Sequence, residues 1–560
     1  MQSSSTTPRH LLILIGTVAL LGAGFACWLR GTYAGQPNVG TGYNIFHVIF
    51  ARDEVLGLVL VATFSFGAAL FLFRPQERLP GEQMPVAPLR HFRLLVTILI
   101  VGAFAVAALG AHFVCHDYAL SADEFMADFQ ARIFLHGEIT AKVQPQWLGA
   151  VRVICPTFVT YLPQSQSWMQ TYLPVYAALR ALFQSIYLQD LLNPCLAAVT
   201  LIALYGVGRR IWPNEQENAL VAVLLLAASA QFLVMAMTSY AMPAHLALNT
   251  VWLWLYLQPE RRRFYLAPVV GVLAIGLHQP IVHALFVAPF LFRLLWERKW
   301  KAVTIFGLMY SLGCAGWYAW RVHYSNHAGP PATAFFRLWN PKMLVIQAMD
   351  LWLILGWSAL ATPLLALLGL HRVWRARAVV QDAALSCFVT FGFYYFFYLD
   401  QGNGWGYRYV HGTLTCFIIV AVAGWEALIA LLSRRLAWNF LLAGTLLSLV
   451  VALPLRSHQA ESFIRPFAKA AQAIQGMDAG VVGVDPDSAW YSADLIRNDP
   501  YLEIRPVVFA LIRLRPEEVK TLSQHGPSRF MKKEQLRAFG LATEAPAPRW
   551  RDPFRLGRGE

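Results

Sequence analysis

The chain has 560 residues, 57% of them hydrophobic and only 14% charged, with a formal net charge of +14. That composition lies far outside the soluble globular average, and apolar runs of membrane-spanning length recur along most of it, so a soluble enzyme is excluded and an all-α polytopic membrane protein is indicated. The excess positive charge stands in short clusters between the apolar runs, a mark of membrane topology; no nucleic-acid partner is expected.

The first apolar stretch, 10–29, has no small-residue cleavage site and reads as a retained span. A second span is expected at 55–73. The linker after it carries Arg74, Arg78, Arg90 and Arg93, which places it in the cytoplasm. A third span, 94–114, delivers the chain to the outside just before a long loop, 115–190. Loops of this length in compact proteins tend to be functional.

This loop opens with three acids in a chain poor in acids: Asp123, Glu124 and Asp128. Ser121 followed by Glu124 has the form of a capping box, so a helix is expected from Ser121 to about Leu135, stopped by Gly137. Asp123 would then sit in the first turn, exposed at the helix tip. The acids could equally do no more than cap a surface helix and favour its dipole. The stretch 172–187 is apolar but contains Pro174 and Arg180, and reads as interfacial.

With 172–187 not crossing, the spans that follow put every later Arg cluster on one side. They are expected at 191–208, 217–238, 244–258, a hairpin over 264–295 broken at 276–280, 302–320, 345–369, 383–399, 410–432 and 437–455. The total is about 13 spans, with the N-terminus inside and the C-terminus outside. Three domains follow: 1–91, two spans and a cytoplasmic linker; 92–455, the membrane core with the outer loop 115–190; and 456–560, an extracytoplasmic α/β appendage with a tail. Strands are expected in that appendage at 479–485 and 505–514, with a helical piece at 491–497.

None of the seven cysteines forms a CxxC pair. Cys115 and Cys155 flank the same outer loop, where an oxidising setting would allow a disulfide; two separate thiols is the other reading.

Polar groups gather at the outer ends of spans distant in sequence. They include Asp123 and Glu124, the turn with Tyr240, and His278, Gln279 and His283 at the hairpin tip. Arg321, His323 and His327 begin another outer loop, and Trp405, Tyr407, Arg408 and His411 form the last turn. A pocket at one membrane face needs residues from several helices in this way. His278 and His283 read either as partners of backbone carbonyls or as metal ligands, and no strong ligand spacing decides it; a divalent metal stays open. Arg408 follows glycines that let a backbone approach a ligand, and guanidinium suits phosphate oxygens; interfacial snorkelling is the alternative.

The order of these features resembles the GT-C glycosyltransferases, most of all the branch of lipid A aminoarabinose transferases and protein O-mannosyltransferases. The residues that carry it are Asp123-Glu124-Phe125 through Gly137, Tyr172 to Tyr176, Gly208-Arg209-Arg210, Ser239 to Pro243 and Gly406-Tyr407-Arg408-Tyr409, over roughly 92–435. Two spans precede the usual first one, and the Lys/Glu-Pro-Pro motif of the aminoarabinose transferases is absent. The resemblance implies a GT-C-like fold and a hexosyl- or pentosyltransferase of the cell envelope. It implies a polyprenyl-phosphate sugar donor, an acceptor glycan, lipid or protein, and a bacterial inner membrane with the site facing the periplasm. Asp123 would be the general base of an inverting transfer, with Glu124 beside it. Arg408, helped by Arg321 or His278, would hold the donor phosphate; Gln279, Tyr240, His283, Trp405, Tyr407 and His411 would line the pocket. The rival classes are a transporter or flippase of a lipid-linked or anionic substrate, and a lipid-linked polymerase or ligase. A transporter would show broken spans in corresponding halves, and only one break, at 276–280, is legible.

Overall fold

The computed structural model describes residues 6–33, 45–72, 89–325, 341–396, 403–489 and 491–541. Among these, eight helices are long and apolar enough to cross a membrane: Thr7–Gly31, His47–Phe71, Phe92–Phe113, Gln189–Ile211, Trp300–Tyr324, Ala378–Phe396, Arg408–Leu431 and Arg434–Gln475. The chain is a multi-pass membrane protein. Among the described residues, eight helices, or up to ten if each of two bent pairs is one span, meet that length and composition, against about 13 spans expected from the sequence. The bent pairs are Gln216–Ala227 with Ala230–Met237, at 57°, and Leu344–Trp357 with Thr362–His371, at 116°. Both stretches read as straight spans in the sequence. Three other expected spans are short: Met242–Tyr256 has 15 residues, Ala267–Ile275 has 9 and Pro280–Trp296 has 17. At ~1.5 Å per residue, none reaches across a hydrocarbon core of about 30 Å.

The two unforeseen breaks close on each other. Ser229, at the first, donates its hydroxyl to the Trp357 carbonyl at the second, at 3.2 Å. The Leu360 N–H is taken by the Ser448 hydroxyl at 2.9 Å. Backbone groups freed inside a membrane need such partners. Close helix contact elsewhere depends on two glycines. A Cβ on Gly369 would lie 1.9 Å from the Val420 carbonyl oxygen, and one on Gly424 would lie 1.7 Å from that of Leu365. Helices Thr362–His371 and Leu414–Leu431 therefore cross backbone to backbone.

The N-terminal spans are tied into the core by a buried ion pair. Arg456 Nη2 meets Glu54 Oε2 at 2.7 Å, and Arg456 Nη1 meets Glu54 Oε1 at 3.1 Å. Removing one partner of such a pair costs about 3–5 kcal/mol, because the other charge stays buried.

The loop 115–190 folds as its start suggests, into the helix Ala122–Leu135, which ends before Gly137 in the left-handed region at φ +73°. After it comes an antiparallel sheet with Ser167–Gln170 between Ala141–Lys142 and Val159–Leu162. The stretch 172–187 yields the helix Val175–Gln184, whose 10 residues are too few to cross. Arg180 does not reach for solvent: it is buried and paired with Asp128 at 2.6 Å.

In the C-terminal unit, strand Val481–Val484 lies between Val507–Ala510 and Ser528–Met531 in a parallel sheet. The helix Leu453–Gln475 runs through the expected boundary at 455. Loop and C-terminal unit share one core, with Phe129, Trp147 and Trp168 packed with Val481, Val507 and Phe509. Each large side chain buried there contributes roughly 1.5–3 kcal/mol. Arg152 clasps Glu518 with two hydrogen bonds, at 2.6 and 2.7 Å, and these bonds hold the Glu518 carboxyl below its ordinary range against the opposing effect of burial. The two regions therefore lie on one side of the membrane. Cys115 and Cys155 are free, buried thiols in different clusters, so the expected disulfide is not formed.

Candidate active site

The start of the loop helix puts its neighbouring acids in opposite roles. Glu124 turns inward. Its Oε2 accepts the Ser121 N–H at 3.0 Å, as a capping box requires, and its Oε1 accepts the Ser239 N–H at 3.0 Å. The Ser121 hydroxyl also points to Glu124, at 3.3 Å. Burial pushes the Glu124 carboxyl up to about 7, with the two backbone N–H groups and Arg497 opposing and Asp123 adding to the rise.

Asp123 is not exposed at the tip, as the spacing suggested; its side chain is 11% accessible. Tyr172 donates its hydroxyl to Asp123 Oδ1 at 2.8 Å, and Arg408 Nη1 donates to Oδ2 at 3.3 Å. Behind Tyr172 lies His278, with ring centroids 3.8 Å apart.

The turn before Arg408 explains where it sits. Asn403–Gly404 and Gly406–Tyr407 pair as a minimal hairpin with Trp405 at its tip. Gly406 stands at φ +85°, and a Cβ there would meet the Gln231 side chain at 2.6 Å. Gln231 Nε2 donates to the Tyr407 carbonyl at 2.8 Å and fixes the turn. Arg408 follows, its guanidinium 5.3 Å from the Tyr240 ring centre and 5.7 Å from that of Tyr409. Its Nε is buried without a hydrogen-bond partner among the described residues. A guanidinium has five N–H donors, so this one keeps capacity for another acceptor.

These side chains face one cavity of about 210 Å³. Asp123, Arg408, Tyr240 and Trp405 line it together with Phe158, Phe463, Tyr491, Asp494 and Ile49 of the second N-terminal span. The structure thus brings together four of the residues singled out in the sequence, with His278 one ring behind. The others stand elsewhere. Arg321 is exposed on the helix Trp300–Ser325, outside the cavity lining. Gln279 only begins the helix Pro280–Trp296. His283 is buried between helices, with Asn249 Oδ1 at 2.7 Å from Nδ1 and the Tyr310 hydroxyl at 2.9 Å from Nε2. Tyr407 and His411 are buried and do not line the cavity. His327 lies outside the described residues. Among the described residues no group of three or more His, Cys, Asp or Glu is placed to hold a metal ion.

Tyr172, Tyr491 and Asp494 escaped sequence reasoning as site residues. Tyr172 lay within a motif but carried no charge. Asp494 enters from the C-terminal unit, and its partner at the loop helix, Ala122, is 372 positions away.

No protein-family model matches the chain, and no curated protein matches it. Among solved structures, it is similar to ArnT from Cupriavidus metallidurans in the apo state. Identity there is 13% and the TM-score 0.46, over 78% of this chain and 89% of that one. The same ArnT bound to undecaprenyl phosphate gives 14% and 0.46, over 79% and 90%. The arabinofuranosyltransferase AftD from Mycobacteria gives 14% and 0.39, over 82% of this chain and 32% of that one.

Proposed function

We propose that the chain is an integral-membrane glycosyltransferase that moves a sugar from a polyprenyl-phosphate donor to an acceptor hydroxyl at the extracytoplasmic face, with inversion. The observation that carries this reading is the Asp123–Arg408 pair, a carboxylate and a guanidinium with unused donors in one cavity formed between membrane helices and the outer domain. The order of motifs that resembles the GT-C enzymes supports it, since the two ends of that order, Asp123 and Arg408, meet here.

In the proposed step the acceptor oxygen attacks the anomeric carbon from the side opposite the phosphate. The new C–O bond forms as the bond to the phosphate oxygen breaks, and the polyprenyl phosphate leaves with the bonding pair. The hydroxyl proton passes to the Asp123 carboxylate, which Tyr172 orients through Oδ1. General base catalysis of this kind contributes about 10²–10⁴-fold. Arg408 neutralises the charge growing on the leaving phosphate, in a site whose aromatic walls lower the local dielectric. Glu124 holds the helix start and takes no part in the proton transfer. A transporter would use its helix breaks as a binding site. Here the breaks near 228 and 358 are closed by hydrogen bonds and lie outside the cavity lining.

The test is release of polyprenyl phosphate and labelled product by the purified protein given radiolabelled polyprenyl-phosphate sugars and an envelope lipid and glycan extract. Turnover is expected with at least one donor. Donor that is moved across vesicles unchanged, with no product, would replace the transferase reading by the flippase.

A further inference from the structure

One short turn of the C-terminal unit grips the chain on both sides of Ser121. After it, Asp494 Oδ2 accepts the Ala122 N–H at 3.0 Å. Before it, Arg497 Nη2 donates to the Leu120 carbonyl at 2.8 Å. The Arg497 guanidinium also lies 4.0 Å from the Tyr118 ring centre and 5.3 Å from that of Phe125, and its Nε donates to the Asp494 carbonyl at 2.8 Å. The first amide of the loop helix, that of Ala122, has no acceptor within the helix and takes its partner from Asp494.

The turn is itself held firmly. Tyr491 stands in the left-handed region at φ +56°, a conformation that costs a bulky residue about 1–3 kcal/mol and persists only where its surroundings over-determine it. Phe463 and Phe467 supply that setting, each with its ring centre 6.3 Å from that of Tyr491. Asp123, next in the chain after Ala122, thus has its backbone set from the C-terminal unit. Its partner Arg408 is set separately, by the hairpin at Trp405 and by Gln231. The relative placement of the two charged groups depends on how the C-terminal unit is docked.

We propose that Asp494, braced by Arg497, is a positioning residue for Asp123: it fixes the first turn of the loop helix so that the carboxylate faces the reacting carbon and Arg408. This rests on the transferase reading, and it makes the C-terminal unit a working part of the active site. A displacement of about 1 Å at a reacting group can cost on the order of 10²-fold in rate.

Two variants of the full chain separate positioning from mere stability. Asp494→Asn keeps an oxygen to accept the Ala122 N–H; Asp494→Ala removes it. Amide hydrogen exchange over 119–126 is measured first, since it needs no substrate. Exchange should quicken about tenfold in Asp494→Ala and stay near wild type in Asp494→Asn. Turnover of a polyprenyl-phosphate sugar should fall about 10- to 100-fold in kcat in Asp494→Ala, with donor KM within about twofold, and return to within about threefold in Asp494→Asn. Arg497→Lys, which loses the planar fork, provides a milder variant should Asp494→Ala fail to fold, and should quicken exchange in the same segment. Unchanged exchange in both Asp494→Ala and Arg497→Lys, or Asp494→Asn as impaired in kcat as Asp494→Ala, would overturn the positioning role. Quickened exchange in Asp494→Ala with no turnover by the wild type would support the anchoring and overturn the transferase reading alone.

Discussion

Two carboxylate–arginine pairs are held inside this structure, and they are built differently. Glu54–Arg456 is closed. Both carboxylate oxygens are bonded, the Trp357 indole donates to one of them, and the guanidinium also reaches the carbonyls of Asp53 and Gly356 and the Gln459 side chain. Asp123–Arg408 is open. Its single contact is 3.3 Å long, one guanidinium nitrogen has no partner among the described residues, and both groups face a cavity. A buried charge left short of hydrogen bonds is expensive, and a fold keeps one where a ligand completes the set. The closed pair therefore reads as architecture and the open pair as chemistry.

Substitutions should break the two pairs in different currencies. The largest effect is expected for Asp123→Asn, which keeps the shape but removes the base: kcat should drop by about 10²–10⁴-fold with the melting temperature nearly unchanged. Glu54→Ala should do the reverse. It strands Arg456 and should destabilise the protein by about 3–5 kcal/mol in thermal unfolding, while the protein that remains folded binds donor normally. Next comes Arg408→Ala, expected to weaken binding of a non-hydrolysable polyprenyl-phosphate analogue by about 10- to 100-fold, the worth of one or two charge-assisted hydrogen bonds; unchanged affinity would assign Arg408 to structure.

The smallest effect belongs to Glu124. Its carboxyl titrates near 7 in the folded chain against 4.5 as the ordinary value, so the folded state holds the extra proton between these pH values. The stabilisation is complete below about 4.5 and lost as pH rises through about 7. Asp494, pushed up to about 6 by burial and the Asp123 charge, acts in the same direction. The melting temperature should fall from pH 5 to pH 8, and Glu124→Gln should flatten that slope while keeping activity within a few-fold, because Gln also serves in a capping box. A dead Glu124→Gln beside an active Asp123→Asn would exchange the two roles.

Much of the candidate site was legible because its residue types are scarce where they occur. Acids at the start of a helix just outside a span, and an arginine after a run of glycines, stand out in a chain that is 14% charged. The same reasoning misplaced Arg321, since charge at the end of a span says nothing of which way the helix faces. It also scattered His283 and His411 into the pocket, where burial makes them bundle residues. The break at 276–280 was visible through Gly276 and Pro280, whereas the bend at Ala228 has neither residue at its apex, and its Ser229 hydroxyl depends on a partner carbonyl, that of Trp357, far along the chain. In the C-terminal unit the two apolar strands were readable. The third, Ser528–Met531, is half polar and mostly exposed, and its pairing with Val481–Val484 is a tertiary fact. Asp494 is the instructive omission: an acid in a polar tail carries no mark until the fold brings it beside Ala122.

The central claim is that the open pair receives the donor phosphate. It is tested most directly by an electron cryomicroscopy structure of the protein in lipid nanodiscs with a polyprenyl phosphate bound. The phosphate is expected within about 3 Å of the Arg408 guanidinium, inside the cavity lined by Tyr240 and Trp405, with Tyr172 still holding Asp123. A phosphate seated away from this cavity, with Arg408 bonded only to Asp123, would contradict the account.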